Sequence, residues 1–401
     1  MNVHLSLLHA YPFERLRQLF SDVTPNANFS PISLGIGEPR HPTPDLIKKA
    51  YCQAIEDGAG LAAYPATAGD LAMRQAIAQW MYKRYGLTVR ASDQILPVNG
   101  SREALFAFAQ TIVQAEQGKA KPLVVCPNPF YQIYEGAALL AGAEPYYVAS
   151  VPERNFAQDW ASVPAEVWAR TQLLFVCSPG NPAGAVMPLQ EWKTLFELSD
   201  RYGFVIASDE CYSEIYFRDT PPLGGLEAAA QLGRSDFKNL VSFTSLSKRS
   251  NVPGMRSGFC AGDAALMAQF LRYRTYHGSA MSPVVQSASI AAWQDEIHVQ
   301  ENRALYREKF HTVTPVLAKV LDVRLPDAGF YLWAKVLGSD EDFARALYAA
   351  YNVTVLPGSY LARSAQGHNP GAGFVRMALV AQTAECLEAA HRIAAFVRDA
   401  A

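Results

Sequence analysis

The hydrophobic residues of this chain follow two alternating patterns. Short apolar runs of strand length (Ile95 to Val98, Leu123 to Cys126, Leu173 to Cys177, Phe204 to Ala207, Leu240 to Phe243 and Gly258 to Ala261) are separated by stretches whose apolar positions repeat at helical spacing. Runs that are apolar nearly throughout predict strands buried on both faces. Their alternation with helices predicts an α/β domain with a largely parallel sheet. Most runs lead straight into Gly, Pro, Ser, Asp or Asn, so polar loops gather at the carboxyl ends, where open parallel sheets bind ligands.

After about Pro283 the pattern changes. A long helical segment through Ile290, His298 and Tyr306 leads to separated strand-like runs at Gly329 to Val336, Val353 to Leu356 and Phe374 to Val380, which predict a smaller α+β unit. Before it all, a helical piece around Phe13 to Phe20 precedes the extended, Pro-rich segment Pro31 to Pro44. A chain of 401 residues exceeds one ordinary core. The expected division is an N-terminal arm over residues 1–44 that joins the small domain, a large domain over 45–284 and a small domain over 285–401.

Composition mainly excludes. Half the residues are hydrophobic, which supplies a large interior, and 35 Lys and Arg against 37 Asp and Glu leave no electrostatic footprint for nucleic acid or an anionic membrane. The cysteines (Cys52, Cys126, Cys177, Cys211, Cys260, Cys386) are scattered, without a C-x-x-C pair or a nearby His, so no metal site is expected and a reducing, cytoplasmic setting fits. Met1 to Ala10 makes a poor secretory signal, and no apolar run reaches spanning length.

The loops after the strands carry the candidate chemistry. Asn181 sits in the rigid turn Ser178-Pro179-Gly180-Asn181-Pro182-Ala183-Gly184, which alone reads as a plain turn. Ser208-Asp209-Glu210-Cys211-Tyr212 places two carboxylates and a phenol at a strand end, which alone could cap a helix or bind a metal. Lys248 would alone be a solvated surface lysine. At a crowded strand end, lost hydration and neighbouring cations favour the neutral amine that Schiff-base chemistry needs. Val98 to Leu105 reads as strand end, Gly turn and helix start, so the N–H groups near Ser101 and Arg102 can face an anion or simply form a cap.

These motifs belong together. N-P-x-G at Asn181 to Gly184, D-E-x-Y at Asp209 to Tyr212 and S-x-S-K-x-x-x-x-x-G-x-R-x-G at Ser245 to Gly258 resemble the fold type I pyridoxal-phosphate enzymes, most closely the class I/II aminotransferases, over nearly the whole chain. The resemblance implies an α/β transferase fold of type I and pyridoxal 5′-phosphate as cofactor. It implies Lys248, Asp209 and Tyr212 as the catalytic group, with Lys248 holding the cofactor as an imine and shuttling the Cα proton. Asp209 would face the ring nitrogen, because the ring is an electron sink only while that nitrogen is protonated, and Tyr212 and Asn181 would donate to the phenolic oxygen. Glu210 is expected to serve structure.

For the phosphate the candidates are Ser101, Arg102, Ser245, Ser247 and Arg256. Tyr131, within Pro127 to Tyr134, is the ring-stacking candidate, with Phe130 and Tyr134 in the core. Arg376, with Gly37 and Asn181, matches the residues that hold a substrate α-carboxylate. Tyr64 matches a tyrosine that in relatives reaches the neighbouring subunit's phosphate, which implies a homodimer with shared active sites.

A narrower resemblance carries the substrate. Gly35 to Pro44, Ser245 to Gly254 and Arg274 to Pro283 are similar to the succinyldiaminopimelate aminotransferases of bacterial lysine biosynthesis. This implies exchange of an amino group between N-succinyl-LL-2,6-diaminopimelate and 2-oxoglutarate/glutamate, with Arg40, Arg274 and His277 as candidates for distal carboxylates. The alternatives are an aminotransferase for aspartate, aromatic or methionine substrates, or a C–S β-lyase with the same cofactor residues. A cofactor-binding module of a transcription regulator is disfavoured, since too few residues precede Pro12 for a basic DNA-binding extension.

Overall fold

The computed structural model describes residues 2–58 and 60–399. Its largest element is an eight-stranded sheet. The order across it is Ile95–Val98, Gly258–Gly262, Leu240–Ser245, Val205–Asp209, Thr171–Cys177, Leu123–Asn128, Glu144–Val151 and Ala157–Gln158. The central pairings are parallel, and antiparallel pairing is confined to Gly258–Gly262 with its two neighbours and to the terminal pair.

Alternate side chains explain the continuous apolar runs. Val125, Leu174, Ile206 and Leu240 enter the core on one face of the sheet, whereas Val124, Leu173, Phe175, Val205, Val241 and Phe243 enter the other. The helices Leu71–Tyr85 and Leu189–Tyr202 cover the first face, and Ser101–Ile112 and Ala264–His277 cover the second. Gly203, at φ 82°, ends Leu189–Tyr202 in a left-handed turn that a Cβ would strain, and the chain then enters the next strand.

The second core collects Tyr306, Phe310, Leu332, Val353, Met377 and Ile393. An antiparallel sheet of Tyr331–Lys335, Phe374–Ala378 and Leu356–Pro357 lies within this part of the chain. The arm joins it directly: Ile32–Ser33 pairs in parallel with Val353–Thr354, and Ile32 and Leu34 enter the same core.

Two elements differ from the pattern-based reading. The long helical segment after Pro283 is two helices, Pro283–Gln294 and Ile297–Leu317, because the Asp295 carboxylate accepts the His298 N–H at 3.0 Å and starts a new helix. Strand Glu144–Val151 has no apolar run to announce it, since it is mostly half-buried near the sheet's edge and carries Pro145.

Candidate active site

The strand ends and the arm enclose a cavity of about 530 Å³. Lys248, Asp209, Tyr212, Asn181, Arg256, Ser101, Arg102, Ser247 and Tyr131 all line it. Gly37 and Arg376 line it from the arm and the second sheet. A larger cavity of about 620 Å³ lies around Arg154, Phe156, Glu191 and Asp327; it shares Cys177 and Asn181 but includes neither Lys248 nor Asp209 nor Arg376. The chemistry therefore belongs to the smaller space.

Each floor residue is posed by its strand. Asp209 ends Val205–Asp209, is 5% exposed, and accepts the Tyr134 hydroxyl on Oδ2 at 2.7 Å and the Cys211 N–H on Oδ1 at 3.3 Å. Burial, and then the Asp209 charge, push the Tyr134 phenol well up, so it remains the donor in this pair. Glu210, next in sequence, is directed elsewhere: its carboxylate accepts Gly225 N–H at 2.9 Å and Ser208 Oγ–H at 2.8 Å, and burial raises it to about 7.

Lys248 lies in the short helix Leu246–Arg249 that follows strand Leu240–Ser245, with Nζ 5.9 Å from the Tyr212 ring centre. The Tyr212 hydroxyl lies 3.2 Å from that of Tyr331, and burial, then Tyr331, hold it well above the ordinary phenol range. It is a neutral phenol at physiological pH.

At one end the cavity is built for an anion. Helix Ser101–Ile112 has no side-chain cap, and among the described residues no acceptor is paired with the Ser101 or Arg102 N–H. Arg256 packs so closely that a Cβ on Gly100 would stand 2.1 Å from its Nη2, and Gly100 itself has φ 91°. Only glycine permits that approach. Ser247 and Ser101 add hydroxyls. Ser245 is 1% exposed, lies behind the wall and does not line the cavity.

The opposite requirement, a grip for a carboxylate, is met by Arg376. It is 3% exposed, donates to Asn181 Oδ1 and Gly35 O at 3.1 Å each, and stacks 4.1 Å from the Tyr331 ring centre. Its Nε is buried without a partner, and among the described residues it makes no ion pair. A buried cation held only by neutral groups is costly until an anion joins it. Gly37 lies against Tyr331, where a Cβ would meet the hydroxyl at 1.9 Å.

Other expected residues fall outside the cavity. Arg40 is 48% exposed and pairs with Glu385 at 3.5 Å, Arg274 is buried in an ion pair with Glu103 at 2.9 Å, and His277 is exposed at the end of its helix. For Arg274 this corrects the expectation of a distal-carboxylate contact, since its charge is already neutralised. Tyr64 is fully exposed and does not line its own chain's cavity.

Sequence reasoning missed Tyr331, hidden in an apolar strand, and the second role of Tyr134. The available signal for Tyr134 was its place one helical turn beyond Tyr131 with a phenol that burial obliges to find a partner.

A family profile described as "Aminotransferase class I and II" matches residues 30–393. The chain belongs to the class I and II aminotransferases. It is 33% identical over 369 residues to an LL-diaminopimelate aminotransferase from Nitratidesulfovibrio vulgaris (strain DSM 19637 / Miyazaki F), covering 90% of each chain. It resembles the crystal structure of an aminotransferase from Neisseria meningitidis Z2491 at a TM-score of 0.95, with 54% identity over 99% of this chain and 100% of that one. A probable N-succinyldiaminopimelate aminotransferase from Thermus thermophilus superposes at a TM-score of 0.83 with 26% identity, covering 96% of this chain and 98% of that one.

The enzyme is pyridoxal-phosphate-dependent, and the cavity fits that group. The uncapped helix start with Arg256 suits a phosphate dianion, Asp209 offers a buried carboxylate, and Lys248 presents an amine to the same space.

Proposed function

We propose that this aminotransferase moves the amino group of N-succinyl-LL-2,6-diaminopimelate to 2-oxoglutarate, forming glutamate, in lysine biosynthesis. When bound, pyridoxal phosphate supplies the carbon that carries the amino group between the two substrates and a ring that takes up electrons from Cα. In this reading Lys248 Nζ would take the Cα proton and hold it as acid and base, while Arg376 holds the α-carboxylate so that the Cα–H bond faces the amine. Asp209, kept in place by Tyr134, would hold the proton on the ring nitrogen, and Tyr212 and the Asn181 amide would donate to the phenolic oxygen. Tyr131 would supply the stacking face.

The observation that carries the reading is the set of cavity guanidinium groups without a carboxylate. Arg256 suits the phosphate and Arg376 the α-carboxylate, which leaves Arg102. Its Nε donates to Tyr131 Oη at 2.6 Å, and among the described residues it forms no ion pair. A donor with a second carboxylate suits such a cleft. The names of the relatives support a diaminopimelate-type donor.

A second reading, unacylated LL-diaminopimelate, is favoured by Glu38, an exposed carboxylate on the cavity wall that could meet a distal ammonium. Single-turnover conversion of the cofactor with N-succinyldiaminopimelate, LL-diaminopimelate, glutamate, aspartate, methionine and phenylalanine decides between them. N-succinyldiaminopimelate and glutamate are expected to react fastest, and a strong response only to methionine or phenylalanine would sink the proposal.

The same reading includes a homodimer with shared sites. Tyr64, Leu61 and Tyr276 are exposed at 103%, 71% and 91%, apolar surface that a second copy would cover. A sedimenting mass near that of one 43.9 kDa chain would contradict it.

A further inference from the structure

Beneath the lysine loop, three side chains from distant parts of the chain meet in a buried line. Lys309 Nζ lies 3.0 Å from His41 Nε2, and His41 Nδ1 lies 2.9 Å from Asn302 Oδ1. Asn302 Nδ2 donates to the backbone carbonyls of Lys248 at 3.1 Å and Arg249 at 3.4 Å. His41, Asn302 and Lys309 are 7%, 4% and 1% exposed, so no water replaces these bonds cheaply.

The inventory of donors fixes the direction of the line. Burial lowers Lys309 to about 8, and below that pH its ammonium only donates, so His41 Nε2 accepts and Nδ1 carries the proton. Nδ1–H then donates to Asn302 Oδ1, which turns the amide nitrogen toward the Lys248 carbonyl. Burial, and further the Lys309 charge, hold His41 below the ordinary imidazole range and keep its ring neutral. Every link agrees with a single tautomer and a single amide orientation.

Two further observations show what is being held. Asn251 stands at φ 52°, a left-handed conformation unfavourable for a residue with a Cβ, and its Nδ2 donates to the same Asn302 Oδ1 at 2.8 Å. Asn302 thus secures the strained turn directly after the reacting lysine. A turn earlier on helix Ile297–Leu317, His298 Nδ1 lies 2.6 Å from Asp295 Oδ2 and Nε2 lies 2.8 Å from Ser250 Oγ. That order mimics a hydrolytic triad, but Ser250 is fully buried, so this group too anchors the loop.

Packing alone does not call for Lys309. Tyr306 faces its ammonium at 4.9 Å, and the other charged or titratable neighbours are Glu308 on its own helix, Cys386 and Glu385 on helix Thr383–Asp399, and His41 on the arm. Among the described residues none of the carboxylates pairs with it. A methionine would fill the space without the desolvation cost.

We infer that His41, Asn302 and Lys309 are positioning residues for transamination, holding the Lys248 backbone from below and tying it to the arm segment whose residues 36–39 line the cleft. The inference rests on the reading of Lys248 as the reacting amine. Its consequence is that the arm and the lysine move as one body.

The test compares His41→Leu, which cuts the line, with His41→Gln, which keeps an acceptor toward Lys309 and a donor toward Asn302. In the holoenzyme His41→Leu should lower kcat about tenfold with KM for the donor changed less than about twofold. In the cofactor-free protein, amide exchange in the peptide over residues 246–252 should quicken about tenfold while the central strands stay unchanged. His41→Gln should recover most of both. Wild-type kcat and exchange in His41→Leu would overturn the inference, as would equal damage in both variants accompanied by an equal fall in Tm. Retained turnover in Lys248→Ala would overturn the lysine reading and this inference together, whereas an inactive Lys248→Ala beside a wild-type His41→Leu removes the inference alone.

Discussion

The floor and the rim of the cleft are built in different ways. Asp209 ends one strand of the large sheet, Asn181 and Lys248 follow the strands on either side of it, and Arg376 reaches the same floor from the second sheet; Asp209, Arg376 and the lysine loop are each pinned by buried hydrogen bonds. The rim draws on residues 36–39 of the arm and on Arg102 at a helix start, and its charges, Arg102 and Glu38, are exposed. A pinned floor suits a reaction common to all amino acids, which demands fixed geometry. An exposed rim suits discrimination between distal groups, where a few charges decide.

Substitutions can break this contrast. Arg376→Lys should lower kcat/KM about a hundredfold for every donor alike, because a lysine loses the planar two-point grip on a group all donors share. A loss confined to one donor class, measured by steady-state kinetics, would move Arg376 from the floor to the rim.

Glu210→Gln probes the other side of the floor. The folded-state value of Glu210, about 7, lies above the ordinary 4.5, so as pH rises between these values the unfolded chain loses its proton first and wild-type stability falls. The variant lacks this slope and should gain on the order of 2 kcal/mol relative to wild type between pH 4 and pH 8, read from urea melts, with kcat unchanged. A collapse of kcat would place Glu210 within the site.

Arg102→Met should have the smallest and most selective effect, about a tenfold fall in kcat/KM for donors with a distal carboxylate and less than about twofold for methionine or phenylalanine. Equal losses for all donors would assign Arg102 to the phosphate end instead.

The same contrast explains what the sequence could reveal. Strands such as Ile95–Val98 and Leu240–Ser245 are legible because both faces are buried, and the residues after them stand in local motifs. Strand Glu144–Val151, half-buried, leaves no such trace. Arg376 was legible through its match to the family's carboxylate-holding arginine, but Tyr331, His41 and Asn302 act through contacts between positions far apart in the chain. Arg40 and His277 read as plausible charges near the right motifs, yet on this chain they face outward, and only tertiary placement separates them from Arg102.

The central claim, that the floor presents Lys248 as the reacting amine, has a direct measurement. Reducing the holoenzyme with borohydride and locating the modified residue by peptide mass spectrometry should place the cofactor on Lys248. Attachment to another lysine, the buried Lys309 included, or no attachment at all, would contradict the account.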